Sequence, residues 1–212
     1  MDFMPSPWLN IPLQDYEGHM NAPRVAQLDA LADLFEETLW RCIPDSVAIL
    51  GIAGGNGLSR IDPAVTTRIV GVDINPAYLE AVRNRFQARL PLILHCLDLA
   101  MEVVPEVPVD LVHAALIFEH AGTEGCLDSA VRLVAPDGYL STVLQLRPSN
   151  AESNVAPSQY PAMQMLSEHF RLVEPDNLRQ RMKLRGFELQ YETRRALPAG
   201  KGFWLGIFRR LL

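Results

Sequence analysis

The run Gly51-Ile52-Ala53-Gly54-Gly55-Asn56-Gly57 follows a short β-branched stretch and leads into a helical stretch from Leu58 to Ile61. A glycine turn between strand and helix lets the backbone approach a bound cofactor, because side chains there would collide with it. Asp73 ends the next apolar run, sixteen positions after Gly57. A carboxylate so placed can accept both hydroxyls of a ribose. Asp98 follows the run after that and can accept a hydrogen bond from an exocyclic amine, while Leu99 offers backbone and apolar contact to an adenine ring. Either acid alone also serves as an ordinary strand-end cap. Together, at the carboxyl ends of adjacent strands, they line the crevice in which open α/β sheets bind ligands.

The elements that must position these residues are legible as alternating periods. Pro23 to Arg41 carries Val25, Leu28, Leu31, Ala32, Leu34, Phe35 and Leu39 at helical spacing, which predicts an amphipathic helix. After Pro44, short β-branched runs alternate with helical stretches, the order of a parallel sheet covered on both faces. The strands are expected at Val47 to Leu50, Arg68 to Val72, Leu92 to Cys96, Val109 to Ala115 and Tyr139 to Leu146. Asn75-Pro76 supplies an N-cap and a first-turn proline for a helix reaching Phe86. Further helices are expected over Thr123 to Val134, Tyr160 to His169 and Asp176 to Arg185. The closing runs, Phe187 to Arg194 and Phe203 to Phe208, have a connection too short for a crossover helix and must be antiparallel. Trp8 to Met20 has no clear period and is expected to form an N-terminal flap. The polar connection from Arg147 to Gln159 is long for a crossover, and long ordered loops are often functional.

At 212 residues and 49% hydrophobic content, the chain has the size of one domain with a substantial core. The reading is a flap and helix over residues 1–44 packed on a core domain over residues 45–212. No apolar run approaches the ~20 residues needed to span a bilayer, and Met1 to Asn10 is unlike a signal peptide, so a soluble cytoplasmic protein is expected. Cys42, Cys96 and Cys126 are far apart and read as reduced, mostly buried residues. His95 and His113 sit inside apolar strands and read as core histidines. No spacing of His, Asp or Glu suggests a metal site. The net charge of −6 argues against general nucleic-acid binding. From Arg171 onward, however, ten basic residues face four acidic ones, which reads as a solvated basic face.

Strand, glycine turn, acid after the second strand, acid after the third and a terminal antiparallel hairpin together resemble a class I S-adenosylmethionine-dependent methyltransferase, from roughly Ser46 to the C-terminus. The resemblance implies a Rossmann-like, seven-stranded, mostly parallel sheet with a C-terminal antiparallel hairpin, helices on both faces, a helical N-terminal flap and S-adenosylmethionine as cofactor. It further implies that Gly51, Ala53, Gly55, Asn56 and Gly57 run under the methionine and ribose, that Asp73 holds the ribose, and that Asp98 reads the adenine amine. Ile74, Asn75 and Leu99 would flank ribose and adenine, with Leu116 and Tyr16 completing the cofactor contacts. Two positions depart from the family. The acid normally found two residues before the first loop glycine is Gly51, and that glycine itself is Ala53. A nicotinamide enzyme shares the turn and the ribose acid, but reading Gly-x-Gly-x-x-Gly from Gly55 puts Arg60 where close packing wants Gly or Ala.

Methyl transfer from a sulfonium is an in-line displacement with an already activated leaving group, so the protein supplies mainly orientation and a dry pocket. A general base helps when the acceptor must lose a proton. By the resemblance, Glu119 and His120, after the fourth strand, lie beside the transferring methyl. Tyr16 and His19 of the flap reach the cofactor carboxylate or the acceptor. Gln145, Ser158 and Tyr160 border the acceptor pocket. The expected acceptor is a small molecule. The alternatives are a protein or RNA methyltransferase using the basic C-terminal region, and a cofactor-binding protein without transferase activity.

Overall fold

The computed structural model describes residues 6–147, Val155 and residues 158–211. Helices α1 (Leu13–Met20) and α2 (Gln27–Cys42) precede the first strand. Then come β1 (Ser46–Leu50), β2 (Arg68–Asp73), α3 (Pro76–Phe86), β3 (Leu92–Cys96), β4 (Val109–Ala115), α4 (Phe118–Ala121), α5 (Gly125–Leu133) and β5 (Val134–Gln145). A 3-10 segment, Pro161–Leu166, leads to α6 (Pro175–Leu184), β6 (Phe187–Ala196) and β7 (Gly202–Arg210). The seven strands form one sheet in the order β3-β2-β1-β4-β5-β7-β6. The first five pair in parallel, and β7 lies antiparallel between β5 and β6. The order reverses between β1 and β4, and that switch point is where an open sheet leaves a crevice outside its strand ends.

Alternation along β1 assigns the two faces. Val47 and Ile49 pack with Phe35 of α2 and with Leu79 and Val82 of α3. Ala48 and Leu50 pack on the other side with Leu127 of α5 and with Leu178 and Met182 of α6. Burial on both faces is why these strands read as continuous apolar runs. The hairpin adds Trp204 and Phe208 to the α5–α6 side and Phe203, Leu205 and Ile207 to the α2 side.

Several boundaries differ from expectation for identifiable reasons. The α2 helix begins at Gln27, because Ala26 is left-handed at φ 48° and breaks the helical path before it. The helix expected over Thr123 to Val134 is the shorter α5, and an unexpected one-turn helix, α4, precedes it, with Gly122 at φ 81° between them. The β5 strand starts at Val134, five residues before Tyr139, and absorbs the extra residues as an irregularity opposite Val109/Leu111. The helix expected over Tyr160 to His169 is the 3-10 segment alone. Much of the flap is helical: α1 carries Gly18 in its middle because the Tyr160 ring occupies the space of a Cβ, which would lie 2.3 Å from it. Part of the long loop expected over Arg147 to Gln159 lies outside the described residues.

The cysteines and histidines divide differently from expectation. Cys126 is buried, Cys42 partly so, and Cys96 is exposed, because β3 is an edge strand with only β2 beside it. His113 is a core residue bonded to Ser141 at 2.7 Å. His95 is not; it sits partly exposed on the same edge strand, 2.8 Å from Glu106.

Candidate active site

The carboxyl ends of β1, β2, β4 and β5 open into a cavity of about 330 Å³, roofed by α1 and by the stretch before it. That volume falls within the range of small-molecule sites. Its floor is the glycine turn, in which Gly51, Ala53, Gly55 and Gly57 all have positive φ. Gly51 and Ala53 line the cavity. A Cβ on Gly51 would lie 2.9 Å from Cδ1 of Ile117, and at φ 71° the backbone disfavours any side chain there. Gly55 and Gly57 serve the packing beneath, where a Cβ would meet Phe86 and Phe35 at 2.7 and 2.9 Å. Asn56 is turned away from the cavity; its side-chain amide donates to the Leu28 carbonyl at 2.9 Å.

Asp73 lies at the tip of β2, 7% exposed, and lines the cavity. Its Oδ2 accepts from the Ala53 N–H at 2.8 Å and its Oδ1 from the Asn75 N–H at 2.9 Å. These bonds tie the glycine turn to the start of α3. Burial raises the carboxyl's pKa, and backbone bonds from Asn75, Ala53 and Ile74 offset part of the rise. Asn75 caps α3 by accepting from the Ala77 N–H, and its own amide donates to the Trp8 carbonyl. Ile74, Leu97, Asp98, Leu99 and Ala100 continue the wall past β3. There Asp98 accepts from the Ala100 N–H at 2.9 Å. An acid at each strand tip, with an apolar slot between, fits an adenosine moiety.

Past β4 the wall is Ala115, Leu116, Ile117 and His120. The His120 ring stands edge-on between Trp8 and Phe170, with centroids at 4.9 and 5.1 Å. Its Nδ1 is buried with no partner among the described residues. Burial, helped by His169, lowers it to about 4, so the imidazole is neutral at physiological pH. Glu119 does not line the cavity. It is 1% exposed; Oε1 accepts from the Gln145 N–H at 2.8 Å, and Oε2 has no partner among the described residues. Burial pushes this carboxyl up to about 7.

The roof brings in Tyr16 and His19, both of which line the cavity. The Tyr16 hydroxyl is raised by burial and then by the nearby Asp73 and Glu17 charges. His19 is 3% exposed, its Nδ1 lies 2.8 Å from Oγ of Ser158, and burial followed by Lys201 lowers its pKa. Gln145 lines the cavity, whereas Ser158 and Tyr160 stand behind its wall, Ser158 on His19 and Tyr160 against Gly18. A latch holds the roof down: Arg85 of α3 pairs with Glu17 and donates to the Gly54 carbonyl at 3.0 Å. Trp8, Gln27, Tyr78, His169, Phe170 and Lys201 also line the cavity, and the sequence did not single them out as site residues. Among the described residues no group of three or more His, Cys, Asp or Glu could hold a metal.

Residues 49–140 match the family model described as a methyltransferase domain. That span contains the glycine turn and both strand-tip acids. The match spans less than half of the chain, and together with the sheet order it makes the chain similar to class I methyltransferases. No curated protein sequence matches it. Among solved structures, this methyltransferase fold is similar to the N-methyltransferase NodS from Bradyrhizobium japonicum WM9 in complex with S-adenosyl-L-homocysteine, at TM-score 0.65 and 14% identity over 87% of each chain. It is also similar to the magnesium protoporphyrin IX methyltransferase ChlM from Synechocystis PCC 6803 with bound S-adenosylhomocysteine, at TM-score 0.66 and 13% identity over 89% of this chain and 85% of that one. The [4+2]-cyclase SpnF shares the fold at TM-score 0.67 and 13% identity, over 87% of this chain and 81% of that one.

Proposed function

We propose that this domain binds S-adenosylmethionine and transfers its methyl group to a small molecule enclosed in the same cavity. The observation that carries the reading is Asp73: a nearly buried carboxylate at the tip of β2, lining a cavity floored by the glycine turn and continued by Asp98 past β3. In this reading Asp73 accepts from the ribose hydroxyls, Ile74 and Leu99 flank the adenine, and Gly51, Ala53 and Leu116 lie along the methionine. Bound S-adenosylmethionine would supply the activated methyl. The protein's own share is orientation and exclusion of water by the roof of Trp8, Tyr16 and His19. His120, neutral and facing the cavity, is the group placed to take a proton from the acceptor.

The size of the cavity and its cover by Trp8, Tyr16 and His19 of the roof and Met163 and Leu166 of the 3-10 segment support a small acceptor over a protein or RNA. Isothermal titration calorimetry with S-adenosylmethionine, S-adenosylhomocysteine and NAD tests the reading. Micromolar binding of the adenosyl compounds alone is expected; binding of NAD instead would overturn it. His120→Ala should leave S-adenosylhomocysteine affinity within about threefold while lowering turnover by about 10² or more, the scale of general-base catalysis.

A second reading is a cofactor-binding domain without methyl transfer, and Gly51 favours it. The acid that would help anchor the methionine is missing, and the tip of Ile117 stands beside its place. The likeness to a cyclase is compatible with this. Cofactor binding without turnover across a broad acceptor panel would select it.

A further inference from the structure

The cavity is electrically polar along the sheet. Its two aspartates, Asp73 and Asp98, stand past β2 and β3. At the other end is Lys201, the residue before β7, which lines the cavity and is only 9% exposed. The strand order places β7 four steps from β2 and two from β4, about 19 and 10 Å at ordinary strand spacing. A cofactor with its nucleoside at Asp73 and its methionine over β1 and β4 therefore leaves Lys201 beyond it, on the acceptor side.

His19 is close enough to Lys201 for the ammonium to depress its pKa. Nδ1 of His19 lies 2.8 Å from Oγ of Ser158, which itself accepts from the Tyr160 N–H at 3.2 Å, so Ser158 anchors the ring at the cavity wall. His19 and Lys201 both line the cavity, which thus has two side chains able to donate hydrogen bonds. The surfaces of Trp8, Met163, Leu166 and Phe170 make the neighbouring wall apolar. Lys201 brings three N–H donors to this mostly buried wall, and burial lowers its pKa. A compact charge in such a place is suited to gripping a carboxylate.

We propose that the methyl acceptor carries a carboxylate on a flat apolar body, with the carboxylate seated at Lys201 and His19 and the body against Trp8 and Phe170. This rests on the methyltransferase reading of the same cavity. It fixes the class of acceptor and leaves the nucleophilic atom to the other end of that molecule, toward His120.

The test uses the full chain saturated with S-adenosylhomocysteine and titrated calorimetrically with hydroxybenzoic and hydroxycinnamic acids, each beside its methyl ester. Free acids should bind at least tenfold more tightly than their esters. Lys201→Met should abolish that difference while holding S-adenosylhomocysteine affinity within threefold, and Lys201→Arg should keep it. Equal binding of acid and ester, or no acid binding at all to the loaded protein, would overturn the proposal alone. If Lys201→Met instead cost S-adenosylhomocysteine tenfold and left the acid preference intact, the cation would belong to the cofactor's carboxylate and the proposal would fail. Failure of S-adenosylhomocysteine to bind the wild-type protein would overturn the underlying reading and this one with it.

Discussion

Asp73 does two jobs with one carboxylate, and they separate experimentally. Its oxygens hold the Ala53 and Asn75 amides, and each oxygen keeps a further lone pair for a ribose hydroxyl. Asp73→Asn keeps the shape but turns an N–H₂ toward one of those backbone donors. The variant should lose about 1.5 to 3 kcal/mol of S-adenosylhomocysteine affinity and also unfold at lower temperature. Calorimetry well below the unfolding transition reads the first effect by itself; unchanged affinity there would displace the ribose from Asp73. Glu119 offers a pH test. Its folded pKa of about 7 lies above the 4.5 of an unperturbed Glu, so the native state holds the extra proton and its stability falls as pH rises through that window. Glu119→Gln removes the titration while retaining an acceptor for the Gln145 N–H. Relative to the wild type, the variant should gain roughly 3 kcal/mol between pH 4.5 and just above 7. Urea denaturation of both proteins at several pH values measures this, and parallel stability profiles would refute a neutral buried carboxyl.

At the scale of elements, the roof is held by few contacts relative to the sheet beneath it. The Arg85 latch joins α1, α3 and the glycine turn through Glu17 and the Gly54 carbonyl, and both side chains are partly exposed. A partly exposed ion pair contributes about 0 to 1 kcal/mol, a scale suited to an element that must open for ligand exchange. Arg85→Met should barely move global stability yet speed amide exchange over Leu13–Met20 about fivefold, the factor that ~1 kcal/mol of local opening gives; unchanged exchange would mean the roof is held elsewhere. The first four strands, α3 with its Asn75 cap and the closing hairpin are legible in the sequence because local pattern and final environment agree. The bounds of α1 within the helical flap are not legible. Its Gly18 is a tertiary requirement of Tyr160, and its polar and apolar residues are divided between the cavity and the latch. The site divides the same way. Asp73 and Asp98 announce themselves by position after strands, whereas Lys201 sits in a Pro-Ala-Gly connection and reaches the cavity only because β7 inserts between β5 and β6.

For the molecule as a whole, the basic C-terminal region is the feature that most invites a polymeric partner, and the ion pairs answer it. Arg179 pairs with Asp176 and Glu192, Arg181 with Glu124, Arg185 with Asp128, Arg195 with Asp33 and Arg209 with Asp137. Four of those partners, Asp33, Glu124, Asp128 and Asp137, come from the acidic part of the chain, so folding brings the two charge blocks together. Each pair contributes little to stability. Their consequence is electrostatic: the face offers alternating signs instead of the clustered cations that neutralise phosphates and release counterions. A net charge of −6 then repels a polyanion at longer range. Fluorescently labelled single-stranded RNA and duplex DNA of twenty nucleotides should therefore bind, if at all, more weakly than about 10⁻⁴ M at 150 mM salt, the weak end of non-specific binding. Anisotropy titrations at 50 and 150 mM salt distinguish the cases. Micromolar binding with a steep salt dependence would mean that these pairs open to admit phosphates, and it would move the acceptor from the enclosed cavity to the surface of α6 and β6.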